Sequence, residues 1–301
     1  MGESGERVRQ LKRKRPGYGE ILDFYSKVRE LQDRSKPSLK TDPIKIEKER
    51  KDLLAREGFP LMRKEDFPLD LEASIRLFRS LCRIGKAANP HMAGQVEKIR
   101  EALGNKKIDL KKIFDGGVKE EKIVQAAVES GLDQTIFSFF LHNSIRPSIE
   151  AGVGQLRGEL DPETWRKGHC PVCGSLPSLS LLKGEEGRRY LLCSFCGYQW
   201  RTDRLSCPAC DNKDQGALHY FCGEGEEAFR IDLCDACHHY IKTIDYRNLE
   251  ESDPCLEDLA TLHLDILASE KGYKRPDGVG RDLKSALLGI PRRGSEEEGA
   301  K

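Results

Sequence analysis

Four Cys-x-x-Cys pairs follow one another between residues 170 and 237: Cys170/Cys173, Cys193/Cys196, Cys207/Cys210 and Cys234/Cys237. Two residues between cysteines let both thiolates turn toward one ion while nearby backbone amides donate to the sulfurs. Two such turns complete a tetrahedron of soft ligands. A single pair is shared with redox motifs, but four in order, separated by 19, 10 and 23 residues, form a metal-binding pattern.

How cysteines are read depends on compartment. The first thirty residues carry Arg7, Arg9, Lys12, Arg13, Lys14 and Arg15, but no apolar run of signal-peptide length follows. Nowhere are there enough consecutive apolar residues for a membrane-spanning helix. The chain is therefore expected in the cytoplasm, where clustered cysteines hold metal more often than they form disulfides. Charge sharpens this. The 51 basic and 50 acidic residues nearly cancel, which argues against a chain built to coat nucleic acid or an anionic membrane. From Cys170 to Cys237 seven Lys and Arg face ten Asp and Glu, so the cysteine-rich segment is acidic and unattractive to a polyanion.

The cysteine segment is internally repeated. Its first half runs Cys-Pro-Val-Cys, apolar Leu179–Leu182, the turn Gly184–Gly187, Arg189–Leu192 and Cys-Ser-Phe-Cys. Its second half runs Cys-Pro-Ala-Cys, Ala217–Cys222, the turn Gly223–Glu227, Arg230–Leu233 and Cys-Asp-Ala-Cys. Each half predicts a hairpin-supported ribbon. The pairing is therefore sequential: Cys170, Cys173, Cys193 and Cys196 at one site, and Cys207, Cys210, Cys234 and Cys237 at the other. A cross-braced pairing, first pair with third, is the alternative and breaks the repeat.

Residues 1 to about 155 carry helical periodicity. Stripes are predicted at Ile21/Tyr25/Val28 and Leu71/Ile75/Phe78/Cys82. Met92/Val96/Ile99/Leu103 should end at a left-handed Gly104, and Ile123–Val128 at Gly131. Ile136–Leu141 predicts a buried helix closing before Pro147. Ser35–Pro68, charged and proline-rich, should wrap the surface with one short helix near Ile46–Arg56. Leu256, Leu259, Ala260, His263 and Leu267 predict a last helix, followed by a polar tail.

The other candidates read as structural. Cys82 lies on an apolar face, and Cys222 and Cys255 stand apart from the pairs. His169, His238 and His239 adjoin ligand cysteines, where capping is the expected role. Trp165 and Trp200 flank the first ribbon and should cover its metal. The basic run Lys12–Arg15 reads as a solvated face. No nucleophile elbow, phosphate-cradling loop, dinucleotide fingerprint or His-Glu-x-x-His motif occurs. Four sulfurs close each coordination sphere, which argues against metal-assisted hydrolysis.

At Trp165–Pro177 (WRKGHCPVCGSLP), Arg189–Trp200 (RYLLCSFCGYQW), Arg204–Cys210, Cys234–Asp245 (CDACHHYIKTID) and Asp258–Tyr273 (DLATLHLDILASEKGY), the chain resembles the bacterial formate dehydrogenase accessory (formation) protein family. Arg15–Leu31 resembles the family's first helix more loosely. The resemblance implies a non-catalytic cytoplasmic maturation factor that binds the catalytic subunit of formate dehydrogenase. It also implies two rubredoxin-like sites holding zinc or iron in the eight paired cysteines. The expected fold is α+β: an all-helical domain (1–160), two tandem rubredoxin-like or zinc-ribbon knuckle modules (161–203 and 204–250), a C-terminal helix (251–275) and a disordered tail (276–301). Asp211 and His238 stand where the first two equivalent knuckles have Gly174 and Gly197, a position needing positive φ. A nucleic-acid-binding ribbon and a rubredoxin-like electron carrier are the competing readings.

Overall fold

The computed structural model describes residues 3–276 apart from 118, 161, 162 and 248. The expected disorder of the tail falls outside the described residues. Eight helices build the first part: α1 (Glu3–Lys14), α2 (Gly19–Ser35), α3 (Lys48–Glu57), α4 (Leu71–Lys86), α5 (Pro90–Gly104), α6 (Leu110–Phe114), α7 (Glu120–Glu129) and α8 (Gln134–Leu156). The axis of this layer is α8, which buries Ile136, Phe137, Phe139, Phe140, Leu141, Ile145 and Ile149. A helix apolar on all sides belongs in the middle of its neighbours. Asp133 caps it through Ile136 N at 3.0 Å, and Phe78 of α4 meets Phe137 and Phe140 edge to face. The crossing of α4 and α8 is close. A Cβ on Gly85 would lie 2.5 Å from the Phe140 ring.

The helix expected to close before Pro147 runs straight through it. Proline removes the amide that would bond the carbonyl of Asn143, and the buried Gln32 of α2 supplies the missing donor, with Nε2 2.9 Å from Asn143 O. The left-handed residue after α5 is Lys106 (φ 56°), two residues beyond Gly104, which stays in the last helical turn. Gly131 (φ 64°) does end the region of α7 as expected, although Val128 on that helix is exposed.

The basic N-terminus forms α1, which buries Val8 and Leu11 and is more than a solvated face. Arg7 pairs with buried Glu257 at 2.6 Å, and Arg15 pairs with Glu226 at 2.6 Å, tying the chain's start to its far end. The single C-terminal helix expected from the sequence is two, α9 (Pro254–Leu259) and α10 (Leu262–Glu270). The break exposes the carbonyls of Asp258 and Thr261 to the buried ammonium of Lys242, at 3.0 and 2.9 Å. Asp258 and Asp265 complete its ion pairs at 2.8 and 2.7 Å.

The cysteine segment forms β1 (Pro177–Lys183), β2 (Arg188–Cys193), β3 (Gln199–Arg201), β4 (Leu218–Cys222), β5 (Phe229–Cys234) and β6 (His239–Asp245). Each half gives the expected hairpin and adds a third antiparallel strand, β3 in the first and β6 in the second. The halves are not separate ribbons, however. They join in one six-stranded sheet of order β3-β2-β1-β6-β5-β4, with β6 parallel to β1 and Leu181 opposite Ile244. The third strand of one module thus docks beside the first strand of the other. The first module also packs against the helices, because Cys170, Val172, Phe195 and Trp200 belong to the same core cluster as Phe140 and Ile149.

Candidate metal centres

Each cysteine pair sits in a tight knuckle. In the first, Cys170 N donates to Ser175 O and Gly174 N to Cys170 O, both at 2.9 Å. Cys207 N to Asn212 O and Asp211 N to Cys207 O repeat the pattern at 2.8 Å. The other knuckles close through Gly197 N to Cys193 O at 3.3 Å and His238 N to Cys234 O at 2.8 Å. The residue after each second cysteine is left-handed in all four: Gly174 and Gly197 at φ 73°, Asp211 at 58° and His238 at 53°. The turn therefore demands the conformation, and the second module adopts it with side chains that tolerate it better than most.

The knuckles meet in two fours. Within each of the groups Cys170, Cys173, Cys193, Cys196 and Cys207, Cys210, Cys234, Cys237, all the sulfurs lie within 4.8 Å of one another. This is the sequential arrangement. Sγ–Sγ edges are 3.4, 3.6 and 3.7 Å in the first group and 3.6 and 3.8 Å in the second. A tetrahedron with metal–sulfur bonds of about 2.3 Å has edges of about 3.8 Å. The donors and their spacing fit zinc or iron, both of which accept four thiolates tetrahedrally.

The local electrostatics suit a cation. Amides of Phe195 and Cys196 donate to Cys193 Sγ at 3.3 and 3.4 Å, as expected for sulfurs that carry negative charge. Burial pushes the Cys170 and Cys196 thiols well above their ordinary range, and Cys207 up to about 11. At Cys173, hydrogen bonding with Cys170, Cys193, Cys196 and Ser175 outweighs burial and lowers it. A dication offers such thiols a way to lose protons that water does not, so metal binding and proton release are coupled.

The histidines stay outside both groups. His169 Nε2 contacts Gly58 O at 3.2 Å, His239 Nδ1 contacts Cys237 O at 2.8 Å, and the His238 ring leans on Tyr273. Trp165 and Trp200 share the core cluster that contains the first site's thiols. Their indoles donate to His169 O at 2.7 Å and Lys167 O at 2.9 Å, fixing the approach to Cys170. Cys82 is buried, and burial alone pushes its thiol up to about 12. Cys222 is exposed and Cys255 half-buried, each away from the fours.

Two features escaped the sequence reading. Arg189 and Arg230 hold the same place in the repeat, yet only Arg189 is fully buried. It joins the modules by donating to Ser180 Oγ at 2.9 Å and Ser206 O at 2.7 Å, with Asp232 at 3.5 Å. The segment after α3 is a strap over the first knuckle: Leu61 N bonds Pro171 O at 2.9 Å and Met62 N bonds Val172 O at 3.0 Å. Phe67 meets Phe195 edge to face, and Lys64 lies over the same ring. Charge and proline content announced a surface wrap but carried no signal of what it would cover.

Known proteins are similar to this chain in sequence and fold. Residues 169–204 match the family description "FdhE, central domain" and residues 205–279 match "FdhE, C-terminal domain". Residues 169–279 are thus similar to two consecutive FdhE domains. The boundary between the two FdhE matches falls between the two metal centres. The Protein FdhE homolog of Aquifex aeolicus (strain VF5) is 28% identical over 271 residues, spanning 89% of this chain and 90% of that protein. The Haemophilus ducreyi homolog is 28% identical over 276 residues, spanning 90% of this chain and 85% of its own length. Protein FdhE of Escherichia coli (strain K12) is 37% identical over 114 residues, 36% of this chain and 35% of that one. The crystal structure of the FdhE protein from Pseudomonas aeruginosa superposes with a TM-score of 0.68 over 92% of this chain and 93% of that chain, at 22% identity. That likeness establishes the shared fold.

Proposed function

We propose that this chain is a member of the FdhE family and a cytoplasmic accessory factor that binds the catalytic subunit of formate dehydrogenase and is needed to form the active enzyme. In this reading the eight paired cysteines hold two zinc or iron ions, and the chain performs no catalysis itself. The observation that carries the proposal is the pair of four-thiol centres on one sheet, within a chain that aligns with FdhE homologs over nine-tenths of its length. Four protein sulfurs around each ion leave no position for an activated water. Among the described residues no helix is long and apolar enough to cross a membrane.

A strain lacking the chain should make the formate dehydrogenase polypeptide but lose formate-linked dye reduction, and the intact gene should restore it. Normal dye reduction in that strain sinks the proposal. A nucleic-acid role is disfavoured by the acidic balance of residues 170–237.

A further inference from the structure

The two centres have the same donors in unlike surroundings. At the first site every cysteine is at most 5% exposed. At the second, Cys207 and Cys234 are buried, Cys237 is half-buried and Cys210 is exposed. The cause can be read at the knuckle tips. Val172 and Phe195 are buried over the first site, and the repeat puts Ala209 and Ala236 in their places. The strap containing Leu61, Met62 and Phe67 then covers the first site from outside. Among the described residues, the second site has a shorter cover. Lys274 N bonds His238 O at 2.9 Å and Tyr240 N bonds Lys274 O at 2.9 Å, which shields the Cys234/Cys237 knuckle, while Gly168 lies against Pro208 beside buried Cys207 and leaves Cys210 exposed.

We infer that the first centre retains its ion for as long as the chain is folded, whereas the second is an exchange site that releases and rebinds a thiophilic divalent cation in the native state. Ligand exchange at a closed tetrahedron begins when an incoming donor reaches the ion or a thiolate leaves it. At the second site Cys210 offers solvent that access directly. At the first, the strap must lift and Phe195 must lose its contact with Phe67 before a donor can enter. The step changes no oxidation state: the ion passes to the incoming donor, and the freed thiolates take up protons from solvent. The proposal rests on the eight cysteines being ligands, and metal content tests that separately.

The full chain is loaded with zinc, and two ions per molecule are confirmed; fewer than two overturns the ligand assignment itself. Excess 4-(2-pyridylazo)resorcinol is then added and release is followed by absorbance. Release should occur in two equal phases, the slow one at least about tenfold slower, because it waits on local opening. Treatment with N-ethylmaleimide after the fast phase, followed by peptide mapping, should label Cys207, Cys210, Cys234 and Cys237 and spare the first four. Exposed Cys222 serves as the labelling control. Ala209→Val with Ala236→Phe should slow the fast phase, and Phe67→Ala should speed the slow one while far-UV circular dichroism stays unchanged. Equal release rates, or first-site cysteines labelled first, overturn the inference.

Discussion

Pro147 lies in the middle of the central helix, and the structure states what makes it tolerable. Gln32 Nε2 donates to Asn143 O at 2.9 Å and to Asn143 Oδ1 at 3.1 Å, and both Gln32 and Pro147 are buried. Gln32→Met keeps the side-chain volume but strands the carbonyl that proline already deprived of its helical partner. An unsatisfied buried acceptor costs about 1–3 kcal/mol, and with three bonds lost, one of them donated by Arg29 to Gln32 Oε1, the expected destabilisation is about 2 kcal/mol. Pro147→Ala restores an amide aimed at the same carbonyl. In the Gln32→Met background it should therefore recover about 1 kcal/mol more than it does in the parent. Urea unfolding of the metal-loaded chain, followed by far-UV circular dichroism, measures all four corners of the cycle. Taking the difference of differences removes the packing lost with the proline ring. Strict additivity of the two substitutions refutes the claim that Gln32 substitutes for the missing amide.

Other predictions concern charges, turns and thiols. Lys242→Met leaves Asp258 and Asp265 short of a buried cation and should cost about 3 kcal/mol in urea unfolding, since breaking a buried pair costs about 3–5 kcal/mol and Arg275 remains beside both carboxylates. Glu150 is lowered to about 2 from an ordinary 4.5: burial pushes it up, but Arg146, Arg29 and Lys36 more than offset that. A depressed carboxylate stabilises the fold above its unfolded value and loses this as pH falls. The stability gap between parent and Glu150→Gln, at most about 3 kcal/mol near neutrality, should therefore shrink from pH 4.5 toward pH 2. A pH-independent gap contradicts the assignment. Gly174→Ala forces a side chain to φ 73° with its Cβ 3.2 Å from Pro60, so it should lower stability by at least about 1–2 kcal/mol in thermal melts. Cys82, with its thiol pushed up to about 12, should resist alkylation at pH 8 until the chain is unfolded.

The two four-cysteine groups were legible because a knuckle is a local object. Two residues between cysteines and a left-handed residue after the second encode each turn, and the repeat paired the turns correctly. Asp211 and His238 show how far this goes, since their positive φ followed from alignment with Gly174 and Gly197. What the repeat could not encode was how the modules join. The parallel pairing of β1 with β6 depends on burial of Arg189 and Lys242 against partners far along the chain. Helices were visible wherever apolar periodicity was strong, as in α4. They were misjudged where a tertiary contact overrode a local signal: Gln32 carries α8 through Pro147, and Lys242 claims carbonyls at the break between α9 and α10. α1 was hidden because its buried face is only Val8 and Leu11 among basic residues that find acidic partners elsewhere in the fold.

Native mass spectrometry of anaerobically prepared chain tests the central claim most directly. The expected species is the polypeptide plus two metal ions, with Cys193→Ser losing the first-site ion and the order of its module. A folded chain that carries no ion, or one that keeps both ions after Cys193→Ser, contradicts it.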